Sequence, residues 1–273
     1  MMLWLVWSGS ASGQSDRVSG FLGFDRNDYP GDAAMADLRK EFAFSGYWLT
    51  PAPGGTMNSW AGKRKSLEAQ GYGFALLARG RPAKEIRNAG SAQRFAVADA
   101  QEAARGAKAE GFASGAIIFL DIEDGGRLAA PYHAYLRVWA DQLLKRGYRP
   151  GVYCSGIVVD EGGGTRIVTA DDIRTNESPR KLAYWVFNDA CPPSPGCAPV
   201  AKVPQPSASG VKDATVWQFT RSPRERETAA RCSGYAADGN CYAAADAAKR
   251  WHLDMNVATS SSPSFARQIN SPE

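Results

Sequence analysis

The sequence predicts an α/β fold, a (β/α)8 barrel of the TIM type, built as a single domain. Between residues 20 and 258, eight short apolar runs alternate with helical patterns. Several of these runs are almost continuously apolar, which is typical of parallel strands buried on both faces. The chain has 273 residues, 44% of them hydrophobic, so it is long enough for one large core. An open doubly wound sheet fits the same alternation and remains the alternative fold.

Eight segments have the strand pattern: FLGFD (21–25), FSGYWLTP (44–51), YGFALLARG (72–80), GAIIFLDIED (115–124), RPGVYCSG (149–156), KLAYWVFND (181–189), DATVWQFT (213–220) and LDMNVA (253–258). Helices are predicted over residues 33–42, 60–70, 92–110, 131–146, 170–176 and 242–251. Pro131 starts the fourth helix and Gly147 ends it, whereas the later crossovers are weaker and are expected to be irregular. We therefore predict a barrel domain over 20–258 and a flexible tail over 259–273.

The first 19 residues are predicted to be a signal remnant or a disordered N-terminus. Seven apolar residues, MMLWLVW, are followed by the small residues SGSASG, which suit a signal-peptidase site. The usual positive start is missing, because the first basic residue is Arg17. An export signal and an ordinary apolar tail both remain open. The sequence contains no apolar run of about 18 residues, so no transmembrane segment is predicted.

Four of the five cysteines flank two short loops rich in small residues. Cys191 and Cys197 bracket CPPSPGC, and Cys232 and Cys241 bracket CSGYAADGNC. We predict a disulfide across each loop; a zinc site is the alternative, although neither spacing is the CxxC type that structural zinc prefers. Cys154 is left over in a strand pattern and is predicted to be buried. Disulfides would place the protein outside the cytoplasm.

Composition excludes several other classes of function. The net charge is +4 and the charges are scattered, so no nucleic-acid partner is predicted. The chain has two histidines, His133 and His252, which excludes an HExxH or histidine-rich metal site. It has neither a GxSxG elbow nor a phosphate-binding P-loop sequence. We predict no metal and no cofactor.

Three acids end the fourth predicted strand: Asp121, Glu123 and Asp124. Side chains alternate along a strand, so Asp121 and Glu123 point to the same side. A TIM barrel places its active site at the C-terminal ends of its strands, where paired carboxyls raise one another's pKa and can divide acid and base roles. The alternative is structural, with the acids capping the strand or pairing with an arginine.

Two further acids lie at strand ends. Asp25 ends the first strand and Asp254 begins the last. Strands 1 and 8 are neighbours in a closed barrel, and strand 4 faces both across the mouth, so these acids are expected to converge with Asp121 and Glu123. For each lone aspartate, a helix cap or a turn is the alternative role.

Aromatic and amide side chains occur at comparable positions. Aromatic faces can stack on the C–H surfaces of sugars, and filling the core is their alternative role. Gln218 and Asn256 are candidate hydrogen-bond partners for hydroxyl or acetamido groups. The aromatic candidates are Trp48, Tyr153, Trp185 and Trp217.

The ordered series GFDRNDYPG, YWLTP, FLDIED, GVYCSG, YWVFND, VWQFT and LDMNVA resembles the glycoside-hydrolase-like domain family of secreted bacterial proteins. That family is a domain of unknown function related to the family 25 lysozymes, and the resemblance covers about residues 20–258. It implies a (β/α)8-type barrel. The lysozymes cleave the β-1,4 bond after N-acetylmuramic acid in peptidoglycan.

The resemblance also implies roles for individual residues. The first-strand aspartate of the lysozymes matches Asp25, and their Asp-x-Glu pair matches Asp121 and Glu123, with the glutamate as proton donor. Their Trp-Gln-aromatic strand and final Asp-x-Asn match a further set: Trp217, Gln218, Phe219, Asp254 and Asn256. The sequence departs from the lysozymes in GFDRND, which lacks their Asp-x-Ser form, and in the cysteine loops at 191–197 and 232–241.

Two functions follow as hypotheses. The first is a glycosidase that acts on peptidoglycan or a related amino-sugar polymer, with Glu123 as general acid and Asp121 and Asp25 in support. The second is a catalytically silent barrel that binds cell-wall glycan. Either function implies a polysaccharide partner and an extracytoplasmic location. A family 18 chitinase fits less well, because its DxDxE motif would need an aspartate at Phe119.

Overall fold

A computed structural model of the chain describes residues 20–189, 205–220 and 253–266. The N-terminal apolar segment, the predicted helix at 242–251 and the two cysteine loops lie outside the described residues. Both disulfides therefore stay predictions. None of the described helices is long and apolar enough to cross a membrane.

Eight strands form a closed barrel, which confirms the predicted fold class and rejects the open doubly wound sheet. Neighbours around the barrel follow the order β1, β10, β9, β8, β5, β4, β3, β2. Two further strands, β6 and β7, form a separate two-stranded hairpin that the sequence did not predict. The strands are β1 (Phe21–Asp25), β2 (Phe44–Trp48), β3 (Gly73–Arg79), β4 (Ile117–Asp121), β5 (Arg149–Ser155), β6 (Val158–Gly162), β7 (Thr165–Val168), β8 (Ala183–Phe187), β9 (Ala214–Thr220) and β10 (Asp254–Ala258).

The last strand runs against its neighbours. β10 pairs antiparallel with both β1 and β9, whereas the other barrel pairs are parallel. This reversal brings the start of β10 to the end of the barrel where β1 finishes, and Asp254 is the Cα partner of Asp25. In an all-parallel barrel, the first residue of a strand would lie at the opposite end.

Helices follow the predicted positions in the described part of the chain, and they are α1 (Asp32–Leu38), α2 (Arg64–Ala69), α3 (Ala89–Ala109), α4 (Ala130–Lys145) and α5 (Thr169–Glu177). Asn88 and Ser91 form a capping box at the start of α3. Small side chains line the buried face of α3, which allows close packing against the neighbouring α4. Gly147, with φ of 84°, turns the chain out of α4.

The barrel interior is packed with side chains, as expected for eight strands. The rings of Phe119 and Trp185 meet edge to face, with centroids 5.6 Å apart. Gly151 makes room for them, since a Cβ there would lie 2.7 Å from the Phe119 ring. The barrel is thus a filled core whose chemistry is confined to its open end.

Residues 259–266 belong to the segment that the sequence predicted to be a flexible tail. They pack beside β3 and β4, where the Ser264 hydroxyl accepts a 2.7 Å hydrogen bond from the backbone N–H of Leu76. The Phe265 ring lies 6.1 Å from that of Phe112, and the Arg149 guanidinium donates to the Ala266 carbonyl at 2.7 Å. These contacts join residues 259–266 to the barrel, and the domain boundary at residue 258 stays a prediction.

Candidate active site

The C-terminal ends of the parallel strands place acidic side chains around one mouth of the barrel. Asp25 ends β1 and Asp121 ends β4, and Glu123 lies two residues beyond. Asp254 stands beside Asp25 because β10 is reversed. Asp121 is close enough to both Asp25 and Glu123 for their charges to raise its pKa. The structure therefore brings together the four acids singled out in the sequence.

Asp25 is held in place by two side-chain amides. Its exposure is 7%, and its Oδ1 accepts hydrogen bonds from Gln218 Nε2 at 2.8 Å and Asn256 Nδ2 at 2.6 Å. Hydrogen bonds to a carboxylate stabilise its charged form. The two amides thus orient Asp25 with one oxygen fixed.

Both amides are themselves fixed by aromatic side chains. The Tyr153 hydroxyl donates to Gln218 Oε1 at 2.8 Å, and the Trp185 indole N–H donates to Asn256 Oδ1 at 2.8 Å. Gln218 and Asn256 were predicted as partners for sugar hydroxyl or acetamido groups. In the structure these bonds hold them in a buried network centred on Asp25, which gives them a positioning role.

Close approach of β2 to β1 depends on Gly46. A Cβ at this position would lie 2.5 Å from the Cβ of Asp25 and 3.4 Å from Leu77 Cδ1. Any larger residue would displace Asp25 from its amide donors. Gly46 is a residue of the site that the sequence analysis missed, since a glycine inside a strand pattern carries no chemical signal of its own.

Asp121 has a different environment from Asp25. It is 7% exposed, and no hydrogen bond reaches its carboxylate from any residue in the described ranges. Burial raises its pKa well above the ordinary value, and the negative charges of Glu123 and Asp25 raise it further. The raised pKa of Asp121 has the direction that the sequence analysis expects for neighbouring carboxyls.

The remaining acids after β4 take separate positions. Ile122 is buried, and Glu123 is exposed to solvent at the rim. Asp124 turns to the neighbouring loop, where its Oδ2 accepts a 2.7 Å hydrogen bond from the backbone N–H of Ala83. Glu123 is thus free to reach a bound molecule from the rim, while Asp124 fixes the loop after β3.

The four aromatic candidates differ in what they can contact. Trp185 is fully buried and Trp48 is 3% exposed, with its indole N–H donating to the Arg26 carbonyl at 3.2 Å. Trp217 lies next to the inward-facing Gln218, so alternation turns it to the outer face of the barrel, where it packs on Phe219. Tyr153 is partly exposed. Among these four, only Tyr153 presents a substantial surface to the mouth.

Other chemistries find no support in the described residues. No group of three or more His, Cys, Asp or Glu side chains in these ranges could hold a metal ion. Cys154 is a buried free thiol, and burial raises its pKa, which disfavours the nucleophilic thiolate. Within the described ranges, the carboxyls at the mouth are the candidate groups for chemistry.

Arg79 is a second residue that the sequence analysis missed. It ends β3, its Cα is the partner of Asp121, and its side chain is exposed. The signal that could have found it is the rule that identified Asp25 and Asp121, namely a charged residue at the C-terminal end of an apolar strand.

Comparison with known proteins agrees with this architecture. Residues 58–191, just under half of the chain, match the model of the Rv2525c-like, glycoside hydrolase-like domain family. Over these residues the chain is similar to the Rv2525c-like, glycoside hydrolase-like domain family. This confirms the resemblance found in the sequence. Among curated proteins, no match was found.

Solved structures with the same fold have little sequence identity to this chain. An uncharacterized B. stearothermophilus protein has a TM-score of 0.54 and 18% identity, over 88% of this chain and 96% of its own. The Mycobacterium tuberculosis Tat-secreted protein Rv2525c, in complex with L-tartrate, has a TM-score of 0.51 and 14% identity, over 89% and 96%. The Clostridium perfringens spore cortex lytic enzyme SleM has a TM-score of 0.52 and 16% identity, over 88% and 67%. At these identities the likeness shows the fold alone.

Proposed function

We propose that the protein is a glycoside hydrolase that acts on peptidoglycan or a related amino-sugar polymer. The observation that carries this proposal is the convergence of Asp25, Asp121 and Glu123 at the C-terminal mouth of the barrel. Glycoside hydrolysis requires two carboxyls with different tasks at the scissile bond. A spore cortex lytic enzyme among the structural neighbours supports the same substrate class.

Glu123 is the proposed proton donor. It stands exposed at the rim, where a leaving-group oxygen can approach it from solvent. Asp121, deeper in the mouth and held towards its neutral form by its raised pKa, would orient a 2-acetamido group of the sugar. Asp25, held by two amides, would support Asp121 as a fixed negative charge. The three carboxyls thus have three distinct tasks.

The location proposed for the protein is extracytoplasmic. The apolar N-terminal segment supports it, and so does the Tat-secreted Rv2525c among the structural neighbours. A cell-wall glycan would be accessible to the protein there. The predicted disulfides across 191–197 and 232–241 belong to the same proposal.

Glu123→Gln tests the enzymatic role directly. The amide keeps the shape of the side chain but cannot give a proton, so we expect turnover to fall by about 10²–10⁴-fold with folding intact. Release of reducing sugar from defined peptidoglycan, chitin and glucan fragments measures the rate. Glu102→Gln, on an exposed position of α3, is the matched control and should keep full activity.

The test separates the two hypotheses. A wild-type protein that binds these glycans but cleaves none, with Glu123→Gln binding equally well, would identify a catalytically silent glycan-binding barrel. Full hydrolysis by Glu123→Gln would move the chemistry to another acid, and Asp254 is then the next one to substitute.

A further inference from the structure

The mouth of the barrel contains a cation that the hydrolytic roles do not use. Arg79 is the last residue of β3, in register with Asp121 on β4. Leu77, two residues earlier, points into the barrel, since its Cδ1 lies within 3.4 Å of the position of a Cβ on Gly46. Alternation along the strand therefore directs Arg79 to the same inner side, at the rim.

The Arg79 guanidinium has no hydrogen bond or ion pair with any residue of the described ranges. It also makes no ion pair with Asp121, although their backbones are paired in the sheet. The charges that act on the Asp121 carboxyl, whose pKa is raised, come from Glu123 and Asp25. Arg79 thus forms no ion pair with the acids of the described site.

Arg81, two residues further, shows how a structural arginine behaves in this loop. Its Nε and Nη2 both donate to the Asp99 carboxylate at 2.7 Å, and its guanidinium lies 4.1 Å from the centre of the Phe95 ring. Arg79 has only its backbone fixed, because its N–H donates to the Thr50 hydroxyl at 2.9 Å. A firmly anchored backbone with an unpaired guanidinium at an acidic mouth suits binding of a ligand anion.

We propose that Arg79 recognises a carboxylate carried by the bound glycan. A guanidinium binds a carboxylate through two parallel N–H donors, which fixes orientation as well as charge. The acids deeper in the mouth repel such a group, so the rim beside Arg79 is where an anionic substituent can lie. This inference rests on the proposed glycan binding and adds the residue that binds an acidic substituent, whose carboxylate would lie on the β3 side of the mouth.

Two matched disaccharides test the assignment by calorimetric binding to the Glu123→Gln protein, which consumes no substrate. N-acetylglucosaminyl-N-acetylmuramic acid carries a lactyl carboxylate, and diacetylchitobiose has two amino sugars without it. We expect the acidic disaccharide to bind about tenfold more tightly, the range of a charge-assisted hydrogen bond. A hyaluronan tetrasaccharide carries a uronic carboxylate and no lactyl group, so its affinity shows whether Arg79 binds a lactyl carboxylate, a uronic carboxylate or both.

Substitution of Arg79 should remove this preference. In Arg79→Ala the two disaccharides are expected to bind alike, and Arg79→Lys should restore only part of the difference, because an ammonium lacks the planar fork. Arg105→Ala, on the outer helix α3, removes an exposed cation of the same charge and should keep the preference. In the Glu123→Gln protein that keeps Arg79, added salt should weaken the preference for the acidic disaccharide, because salt screens the attraction between the guanidinium and the carboxylate.

Failure of this inference is distinguishable from failure of the proposed function. Equal affinities for the acidic and neutral disaccharides, or a preference that survives in Arg79→Ala, overturn the role of Arg79 and leave glycan binding intact. Absence of binding to all three glycans overturns the proposed function and, with it, the role of Arg79.

Discussion

Asp25 and Asp121 show how one barrel mouth gives two aspartates opposite environments. Both are 7% exposed, yet Asp25 accepts two amide hydrogen bonds while Asp121 accepts none from the described residues. Donors stabilise a carboxylate, whereas burial without donors favours the protonated acid. Such a difference in environment gives neighbouring carboxyls different charge states and therefore different tasks.

The raised pKa of Asp121 predicts a pH-dependent cost to stability. A carboxyl whose pKa is higher in the folded than in the unfolded protein favours folding below the unfolded pKa, and this contribution is lost as pH rises through the folded pKa. Asp121→Asn should therefore stabilise the protein at neutral pH, with a smaller gain in acid. Each ~1 kcal/mol gained raises the Tm by about 2–4 °C in a protein of this size.

Thermal unfolding of both proteins between acidic and neutral pH measures this effect. Asp28→Asn, at an exposed position after β1, is the control and should leave the pH dependence unchanged. A gain for Asp121→Asn that is as large in acid as at neutral pH would show that ionisation of Asp121 is not the cause.

The sequence located the acids of the site better than it located their partners. A strand-end rule identified Asp25 and Asp121 because the end of an apolar run is visible in the sequence. The positioning role of Gln218 and the outward direction of Trp217 depend on which neighbour faces the barrel axis. That choice is made by the register of β9 against β8 and β10, which includes an irregularity in each pairing.

At the level of elements, the eight barrel strands were all predicted, since each is an apolar run with clear limits. The reversal of β10 and the β6–β7 hairpin were not. The sequence of a short apolar strand does not indicate whether the strand runs parallel or antiparallel to its neighbours. β6 is mostly exposed, so it lacks the apolar pattern on which the strand predictions relied. The stretch Gly162–Gly164 forms the turn of the hairpin.

The approach of β2 to β1 gives a prediction about Gly46. Gly46→Ala would place a Cβ 2.5 Å from that of Asp25, and neither backbone can yield easily inside the barrel wall. We expect a loss of about 1–3 kcal/mol in the free energy of unfolding, typical of overpacking. Asp25 should also shift from its two amide donors, so glycan hydrolysis should fall more than the loss of folded protein explains.

Urea unfolding and the rate per folded molecule measure the two effects. Gly125→Ala is the matched control, because its Cβ would come no closer than 4.0 Å to Ser155. If Gly46→Ala leaves both stability and turnover unchanged, β1 and β2 can move apart without a loss in the free energy of unfolding.

On the scale of the whole molecule, the two ends of the barrel have different tasks. The C-terminal ends of the strands carry the carboxyls, whereas residues 259–266 contact β3 and β4 towards the opposite end. The buried Pro263 and Ser264 belong to this segment. The polar composition of SSSPSFARQINSPE predicted a tail, since its hydroxyls gain a partner only when the barrel is already folded.

Substitution of Ser264 tests how much residues 259–266 contribute to stability. Its hydroxyl is fully buried and accepts the N–H of Leu76 at 2.7 Å, so Ser264→Ala leaves a buried strand donor without its partner. We expect a loss of about 1–3 kcal/mol in the free energy of unfolding. Ser207→Ala, at an exposed serine, should change little.

A protein ending at residue 258 should lose more stability than Ser264→Ala, because it also lacks the contact of Phe265 with Phe112. Urea midpoints for the truncated chain equal to those of the full chain would mean that the barrel closes without this segment, and that the boundary at 258 was right.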